Sequence, residues 1–144
     1  ENIGQTTRKG MELEGNWQFA TSGNLAFSYS RGHYQTETKK ELPKVPKHQF
    51  ATTLQQHIGK STLALHTRYV GGRFADNENK VPVPHFWTAD VTIKRKWRKS
   101  ALVIGVNNIA DTHYFDNIRI NAFGGRFYEP AATRQAFLRV VVSF

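Results

Sequence analysis

The sequence predicts an all-β fold, an antiparallel segment of a transmembrane β-barrel with about seven strands. Apolar residues alternate with polar or small ones over runs of roughly six to ten residues, the period of a β-strand. Short and long connections between these runs alternate strictly along the chain. No apolar run approaches the roughly 18 residues that a membrane-spanning helix needs. This excludes a helical membrane protein.

Each run carries its large apolar side chains on one face, because successive residues of a strand point to opposite faces. With their flanking residues, most runs approach the roughly nine to eleven residues that a tilted strand needs to cross a bilayer. The apolar members, run by run, are Met11, Leu13, Trp17 and Phe19; Leu25, Phe27 and Tyr29; Phe50, Leu54 and Ile58; Leu63, Leu65 and Tyr69; Val91, Ile93 and Trp97; Leu102, Ile104 and Val106; and Leu138, Val140, Val142 and Phe144.

The connections between the runs are of two lengths. Tight turns are predicted at Ala20–Gly23, Gly59–Ser61 and Arg98–Ser100. Long loops are predicted at Gly32–Pro46, Ala75–Pro84 and Thr112–Thr133. Since successive connections of an antiparallel sheet lie at opposite ends, all tight turns fall on one rim and all long loops on the other. This asymmetry is typical of outer-membrane barrels.

Periodicity alone does not say which face points inward, so a soluble lipocalin-like barrel that binds ligand in an apolar interior stays an alternative. Three features favour a membrane barrel. Aromatic residues of the apolar face gather near strand ends, as interfacial girdles do: Trp17, Tyr29, Tyr69 and Trp97. The opposite face carries charge, which suits a polar lumen: Glu12, Glu14, His66, Arg68, Lys94 and Arg139. The last strand has an aromatic end and apolar positions at every second residue: Leu138, Val140, Val142 and Phe144.

Arg95 departs from the pattern, because it lies on the apolar face between Ile93 and Trp97. Near a tight turn its side chain can snorkel to the membrane interface, where a lipid-facing arginine costs only roughly 0–1 kcal/mol. The run Lys94–Lys99 is therefore interpreted first as a periplasmic turn with an interfacial tryptophan. Binding of acidic lipid headgroups is a secondary interpretation.

Composition disfavours other functions. The net charge of +9 comes from clusters in separate segments rather than from one face, so nucleic acid is not an expected partner. The chain has no cysteine, and its six histidines lack the local spacing of a metal or haem site, although His57 and His66 could meet across a hairpin. The segment Asp76–Asn79 is expected to be a solvated turn rather than a calcium loop. No nucleophile, base and orienting group come together, so we expect neither an enzyme nor a cofactor.

Four stretches of the chain resemble the TonB-dependent receptors, and together they cover nearly its whole length. The most specific is Gly105–Asp111, followed by Tyr114 and Phe115, which resembles the penultimate-strand signature of the family. Thr133 departs from the family pattern, where glycine commonly precedes the arginine. The other three stretches are Thr7–Glu14, Val45–Gln49, and Gly125–Ala131 continuing through Arg134 to Phe144.

The resemblance implies a 22-stranded barrel in the Gram-negative outer membrane, with an N-terminal plug inside it. It implies import of a scarce nutrient, a ferric siderophore or another metal chelate, driven by the TonB complex and dependent on the outer-membrane assembly machinery. Phe137 and Val141, apolar residues on the lumen face, would pack against the plug. Residues forming the ligand vestibule are expected to be Tyr114, Phe115, Arg119, Phe123, Arg126, Phe127 and Tyr128.

Residues 1–144 are therefore expected to be the C-terminal part of such a barrel, without the plug and the earlier strands. Bacterial single-chain barrels have even strand numbers, and about seven strands leave a sheet without antiparallel closure. Open edges in lipid leave unpaired backbone amides, each costing several kcal/mol. A complete, small eight-stranded structural or adhesive barrel is the other membrane alternative.

Overall fold

The computed structural model of the chain describes residues 4–120 and 126–142, and within them the only regular elements are β-strands. No helix in these residues has the length and hydrophobicity needed to cross a membrane. The strands are β1 Thr6–Ala20, β2 Gly23–Thr36, β3 His48–Ile58, β4 Ser61–Val70, β5 Arg73–Phe74, β6 Pro82–Val83, β7 Phe86–Trp97, β8 Ser100–Asn107, β9 Phe115–Ile120, β10 Arg126–Pro130 and β11 Gln135–Val142.

Seven of these strands form one antiparallel sheet in the order β1-β2-β3-β4-β7-β8-β11. This confirms the predicted fold class and strand number. Two-residue turns join β1 to β2, β3 to β4 and β7 to β8, at the three predicted positions. We call this end of the sheet the turn rim and the opposite end, where the long connections lie, the loop rim.

The loop rim is more ordered than the sequence predicts. The first long connection begins after Thr36 and not at Gly32, because β1 and β2 keep pairing up to Thr6 and Thr36. The second predicted loop contains β6 but begins directly after β5, and the third contains the hairpin β9-β10. These hairpins and the extension of β1 and β2 are short or polar, and none has the regular apolar alternation by which the other strands were predicted.

The strand register joins the apolar faces into a continuous outer belt. One row of directly paired residues runs across six strands: Trp17, Leu25, Leu54, Leu65, Val91 and Val106. Belt side chains are exposed, Trp17 by 62%, Ile104 by 50% and Leu138 by 65%. An apolar surface of this extent is unfavourable in water, so the belt requires an apolar surrounding.

The opposite face forms a polar inner wall. The register places Glu14, Ser28, Ala51, Arg68 and Thr88 in one row across five strands. The hollow of about 380 Å³ is lined by residues of this wall and of the last connection, and that of about 270 Å³ by seven wall residues together with Tyr29, Phe50 and Tyr69 of the belt. The large apolar side chains of the belt stay exposed and do not enclose an interior. This disagrees with the soluble-barrel alternative, since a lipocalin-like interior is apolar.

Phe137 is an apolar residue of the inner wall, and it has a partner within the sheet. It pairs with Gly105 across β8 and β11, and its ring lies over that glycine. A Cβ atom at residue 105 would come within 2.5 Å of the Phe137 ring and 2.9 Å of the Thr92 methyl group. Gly105 thus provides the space that the ring occupies. Packing of Val141 against a plug stays a prediction.

The register also shows that the strands are inclined. Gly23 at the first turn pairs with Gln56, and β3 continues two residues further to Ile58. Ser61 at the next turn pairs with Arg95, and β7 again continues two residues further to Trp97. From one tight turn to the next the register therefore shifts by two residues, roughly 7 Å along the strand, over two strands, roughly 10 Å across the sheet. The inclination is about 35°, as in transmembrane barrels.

The predicted interfacial aromatics all lie on the outer belt, at two levels. Tyr29 and Tyr69 belong to one row with Phe50 and Trp87 near the loop rim. Trp97 ends β7 at the turn rim, and Trp17 packs on Phe19 at a ring distance of 5.6 Å close to the first turn. Ten residues separate Trp87 from Trp97, roughly 33 Å along the strand. At an inclination of about 35–45° the two levels are roughly 23–27 Å apart along the barrel axis.

Candidate functional site

The candidate site lies at the loop rim, where three connections pack into one layer. The backbone N–H of Lys44 donates to the carbonyl of Phe74 at 2.6 Å. The Asn79 amide exchanges hydrogen bonds with the backbone of Glu41, accepting at 2.7 Å and donating at 3.0 Å. The Arg73 guanidinium donates to the carbonyl of Phe115 at 3.4 Å. The connection of residues 37–47 and the hairpins β5-β6 and β9-β10 therefore hold each other in place.

A small apolar core lies inside this layer. Ala75, Val81, Val83 and Ile118 are each at most 7% exposed, and Phe115 packs against them. Burial of these side chains fixes the β5-β6 hairpin against β9. The layer is therefore a packed structure, on which polar groups can be held in defined positions.

Arginines and aromatic rings meet where the layer joins the inner wall. The rings of Phe86 and Tyr114 are stacked, with centroids 4.1 Å apart and planes at 17°. The Arg68 guanidinium lies 5.3 Å from the Phe86 centroid and 6.0 Å from that of Tyr114, and Arg73 lies 6.0 Å from Phe86. These distances are within the range of cation–π attraction. We call these four residues the arginine–aromatic cluster.

The two arginines have different surroundings. Burial lowers the pKa of Arg73 from its ordinary value, the nearby charge of Arg68 lowers it further, and Asp116 opposes both. The Nη1 atom of Arg73 is buried and has no hydrogen-bond partner among the described residues. Arg68 is exposed and lines the hollow of about 380 Å³ together with His66, Asp90 and Tyr114. Arg68 is thus the exposed cation of the cluster, and its guanidinium lies beside the two stacked rings.

Asn108 attaches the last long connection to the wall. It is 5% exposed, and its amide accepts from the N–H of Thr112 at 2.9 Å while donating to the carbonyls of Thr112 at 2.9 Å and Ala132 at 3.4 Å. Its own N–H donates to the Asp90 carboxylate at 2.7 Å. Its φ of 51° lies in the left-handed region, which asparagine tolerates better than most residues. This arrangement, the Asn108 clasp, positions Tyr114.

Asp111, near the start of the same connection, is bonded to Arg134 at its end. Its carboxylate accepts from the backbone N–H of Arg134 at 2.8 Å and pairs with the Arg134 guanidinium at 3.4 Å. The backbone hydrogen bond from Arg134 is the main reason why the pKa of Asp111 lies below its ordinary value of 3.8. The Arg134 side chain and the charge of His113 lower the pKa further, and together these effects outweigh the opposing effect of burial. A carboxylate with a depressed pKa stabilises the folded state above its unfolded pKa, and this stabilisation is lost as pH falls through the folded value.

We therefore expect the connection to keep its order from neutral pH down to about pH 4 and to loosen as the pH falls further. The measurement is the mobility of a nitroxide on a single cysteine introduced at Ala131 in the intact protein. Asp111→Asn should give high mobility at every pH, whereas Asp116→Asn should preserve the transition. Mobility that is independent of pH in the unaltered chain would contradict the assignment.

The structure places some of the predicted vestibule residues and not others. Tyr114 lies at the hollow, in the arginine–aromatic cluster. Phe115 packs on the apolar core of the loop layer. The side chains of Arg119, Arg126, Phe127 and Tyr128 and the whole of Phe123 lie outside the described residues, as does Phe144.

Arg68, Arg73 and Phe86 were not predicted as site residues. Phe86 had a usable signal, since it is an aromatic residue on the polar face of its strand, out of phase with the belt. Arg68 was assigned to the correct face, but the sequence does not show that it lies beside Phe86 and Tyr114. That proximity depends on pairing between distant parts of the chain.

The histidine hypothesis is not supported. His57 and His66 each share a hydrogen bond with a threonine of the opposite strand, Thr62 at 2.9 Å and Thr53 at 3.0 Å, and not with each other. Residues 4–120 and 126–142 contain no group of three or more potential metal ligands. Asp76 accepts from the backbone N–H groups of Lys80 and Val81, which agrees with a self-contained turn.

Comparison with known proteins identifies the family. Residues 1–109 match the family described as "TonB dependent receptor-like, beta-barrel". The chain belongs to the TonB-dependent receptors. Because the match covers more than half of the chain, the predicted resemblance is confirmed. The clasp residue Asn108 lies within the matched range of this TonB-dependent receptor segment.

Solved receptor structures share the fold at low sequence identity. The ferric citrate transporter FecA in its unliganded form is 20% identical with a TM-score of 0.88, covering 96% of this chain and 24% of that one. The ferric yersiniabactin uptake receptor FyuA from Yersinia pestis is 17% identical with a TM-score of 0.85, covering 96% and 24%. The ferripyoverdine receptor of the outer membrane of Pseudomonas aeruginosa, bound to ferripyoverdine, is 16% identical with a TM-score of 0.78, covering 96% and 20%.

This TonB-dependent receptor segment thus spans a fifth to a quarter of the length of the structures it matches. At these identities the likeness shows the fold alone. Within residues 4–120 and 126–142 no eighth strand pairs with β11 or β1 to close the main sheet. A complete eight-stranded barrel is therefore not what the described residues form.

Proposed function

We propose that residues 1–144 form the C-terminal part of the barrel of an outer-membrane receptor that imports a scarce nutrient, a ferric siderophore or another metal chelate. Family membership supports a receptor, and the solved relatives are named for ferric citrate, ferric yersiniabactin and ferripyoverdine. The proposal assigns the plug, the TonB contact and the remaining strands to the rest of the receptor. The Gram-negative outer membrane is its location.

The observation that carries the proposal is the two-sided sheet. An apolar belt bounded by aromatic levels roughly 23–27 Å apart matches the roughly 25 Å apolar band of outer-membrane barrels. Opposite it lies a wall whose exposed groups are polar and charged, with Val141 as an exposed apolar exception. A surface of this kind separates lipid from an aqueous passage.

The belt also supports an assignment for the predicted interfacial and assembly residues. Trp17, Tyr29, Tyr69 and Trp97 would lie at the two membrane interfaces. Leu138, Val140 and Val142 point to the belt side of β11 and are 65%, 62% and 52% exposed. With Phe144 they would present the outward apolar signal that the outer-membrane assembly machinery recognises.

The arginine–aromatic cluster is the part of the wall best suited to meet the cargo. Ferric iron is held by anionic oxygen donors, so its chelates offer carboxylate or catecholate oxygens to a receptor. A guanidinium forms charge-assisted, often bidentate hydrogen bonds with such groups. Arg68 and Tyr114 both line the hollow of about 380 Å³.

The test is binding of a defined panel to the intact receptor: ferric citrate, a ferric catecholate, a ferric hydroxamate, haem and cobalamin. One ferric chelate should quench tryptophan fluorescence saturably. Arg68→Gln should weaken that binding by about tenfold or more, the cost of one hydrogen bond to a charged group. Tyr114→Ala should also weaken it, because it removes the ring that orients Arg68.

Arg139→Gln is the matched control, since it removes the same charge from the same wall closer to the turn rim. It should leave the affinity within about twofold. Binding of none of the panel, or an equal loss with Arg139→Gln, would refute the proposal. Binding of haem or cobalamin alone would refute a ferric chelate with anionic oxygen donors as the cargo and retain the receptor.

A further inference from the structure

The turn rim carries an uncompensated positive charge. Six cationic side chains lie in two adjacent turns and the strand end between them, and we call them the turn-rim cluster: Lys60, Lys94, Arg95, Lys96, Arg98 and Lys99. All six are exposed. No acidic residue occurs in residues 49–75 or 91–110. Within the described residues, none of the six is paired with a carboxylate.

The two turns are held together by the backbone. The N–H of Lys96 donates to the carbonyl of Lys60 at 3.0 Å, and Ser61 pairs directly with Arg95. The nearest acidic residue along β7 is Asp90, and its carboxylate is bound to the Asn108 N–H towards the loop rim. The positive charges are therefore concentrated at one place with no counter-charge from neighbouring strands.

Arg95 and Trp97 show that the cluster extends to the belt side of the sheet. Both point to the belt side, where Arg95 is flanked by Ser61 and Leu102 in the strand register. The Arg95 guanidinium lies 5.7 Å from the centroid of the Trp97 ring, within cation–π range. Tryptophan prefers the headgroup level of a bilayer, so the guanidinium at this level faces headgroups and not hydrocarbon. The snorkelling of Arg95 to the interface stays a prediction.

We propose that the turn-rim cluster binds the phosphate groups of anionic phospholipids in the membrane leaflet at the turn rim. Arg95, with Trp97 beside it, would hold one phosphate through paired N–H groups, while Lys60, Arg98 and Lys99 supply charge from the turn tips. Lys94 and Lys96 lie on the inner-wall side of β7 and add to the local field. The inference rests on the proposed function only in treating the sheet as part of a membrane barrel.

The test uses the intact receptor in nanodiscs of phosphatidylcholine with spin-labelled phosphatidylglycerol or spin-labelled phosphatidylcholine as the probe. The fraction of immobilised lipid gives the relative association constant of the anionic over the zwitterionic lipid. One basic residue near a membrane surface is worth about fivefold. We expect a preference of about tenfold or more that falls to below about twofold in the variant Lys60→Gln/Arg95→Gln/Arg98→Gln/Lys99→Gln.

The matched control variant is Lys9→Gln/Lys39→Gln/Lys44→Gln/Lys80→Gln. It also removes four positive charges, but from segments towards the loop rim, and it should keep the preference for the anionic lipid. An equal loss with this control would overturn the proposal, because net charge alone would then explain it. So would the absence of any preference in the unaltered receptor. Selective loss on adding inorganic phosphate, compared with chloride of equal ionic strength, would assign the cluster to a soluble anion and overturn the lipid assignment.

Chelate binding, measured on the same preparations, separates this inference from the proposed function. A receptor that binds a ferric chelate without preferring anionic lipid refutes the lipid site alone. A receptor that prefers anionic lipid but binds no chelate refutes the cargo and supports the lipid site.

Discussion

Replacing Leu65 by arginine is expected to destabilise the intact receptor by about 2–4 kcal/mol, the cost of a charged side chain near the middle of the lipid face of a barrel. Leu65 is central in β4 and pairs with Leu54 and Val91 on the outer belt. An arginine there is too far from either aromatic level to snorkel easily to water. The midpoint of urea unfolding in phospholipid vesicles measures the change.

The neighbouring residue provides the control. His66 lies on the inner wall, is exposed, and shares a hydrogen bond with Thr53 at 3.0 Å. His66→Arg places the same charge one residue further along the strand but into an aqueous lumen. It should cost less than about 1 kcal/mol, the contribution of one exposed neutral hydrogen bond. If the two variants were equally stable, or if His66→Arg were the worse, the outer belt would not face lipid.

This pair of residues also shows why the sheet could be predicted from the sequence. A strand has a period of two, so a one-residue error would move Leu65 and His66 to the wrong faces at once. The alternation within each apolar run therefore specifies which of its residues face the outer belt. The runs agree with one another in the structure, where Leu65 joins Leu54 and Val91 in one row.

The loop rim could not be predicted in the same way. The hairpins β5-β6 and β9-β10 are too short to show a regular apolar alternation, and they are held by contacts between distant segments such as Lys44 with Phe74. The position of Arg73 beside Phe86 likewise depends on how the loops fold onto the wall. Local periodicity contains no information on such contacts, so the sequence indicated a vestibule but not the arginine–aromatic cluster within it.

Asn108 shows a third case, in which a motif was visible in the sequence but its physical role was not. Its stretch, Gly105–Asp111, was the most specific part of the family resemblance. In the structure the asparagine satisfies part-buried backbone groups at both ends of the last connection. These hydrogen bonds give the asparagine of this stretch a physical role.

Asn108→Ala is accordingly expected to release the last connection from the wall, at a cost of about 2–5 kcal/mol. The change removes three hydrogen bonds and leaves the N–H of Thr112 unpaired, which costs roughly 1–3 kcal/mol for a buried group. It also forces alanine into the left-handed conformation at φ 51°, for roughly another 1–2 kcal/mol. Because Tyr114 would lose its position beside Arg68, chelate affinity should fall by about tenfold or more.

Two further variants separate these contributions. Asn108→Gly keeps the left-handed backbone but lacks the amide, so it should recover only the roughly 1–2 kcal/mol of conformational cost. Asn107→Ala changes the adjacent, exposed residue of β8 and should have little effect. Hydrogen exchange of peptides from residues 108–120 and 129–136 in the intact receptor reports the release. If Asn108→Ala left exchange in both peptides unchanged, the connection would be held by other contacts, because loss of hydrogen bonds that stabilise it must increase its exchange.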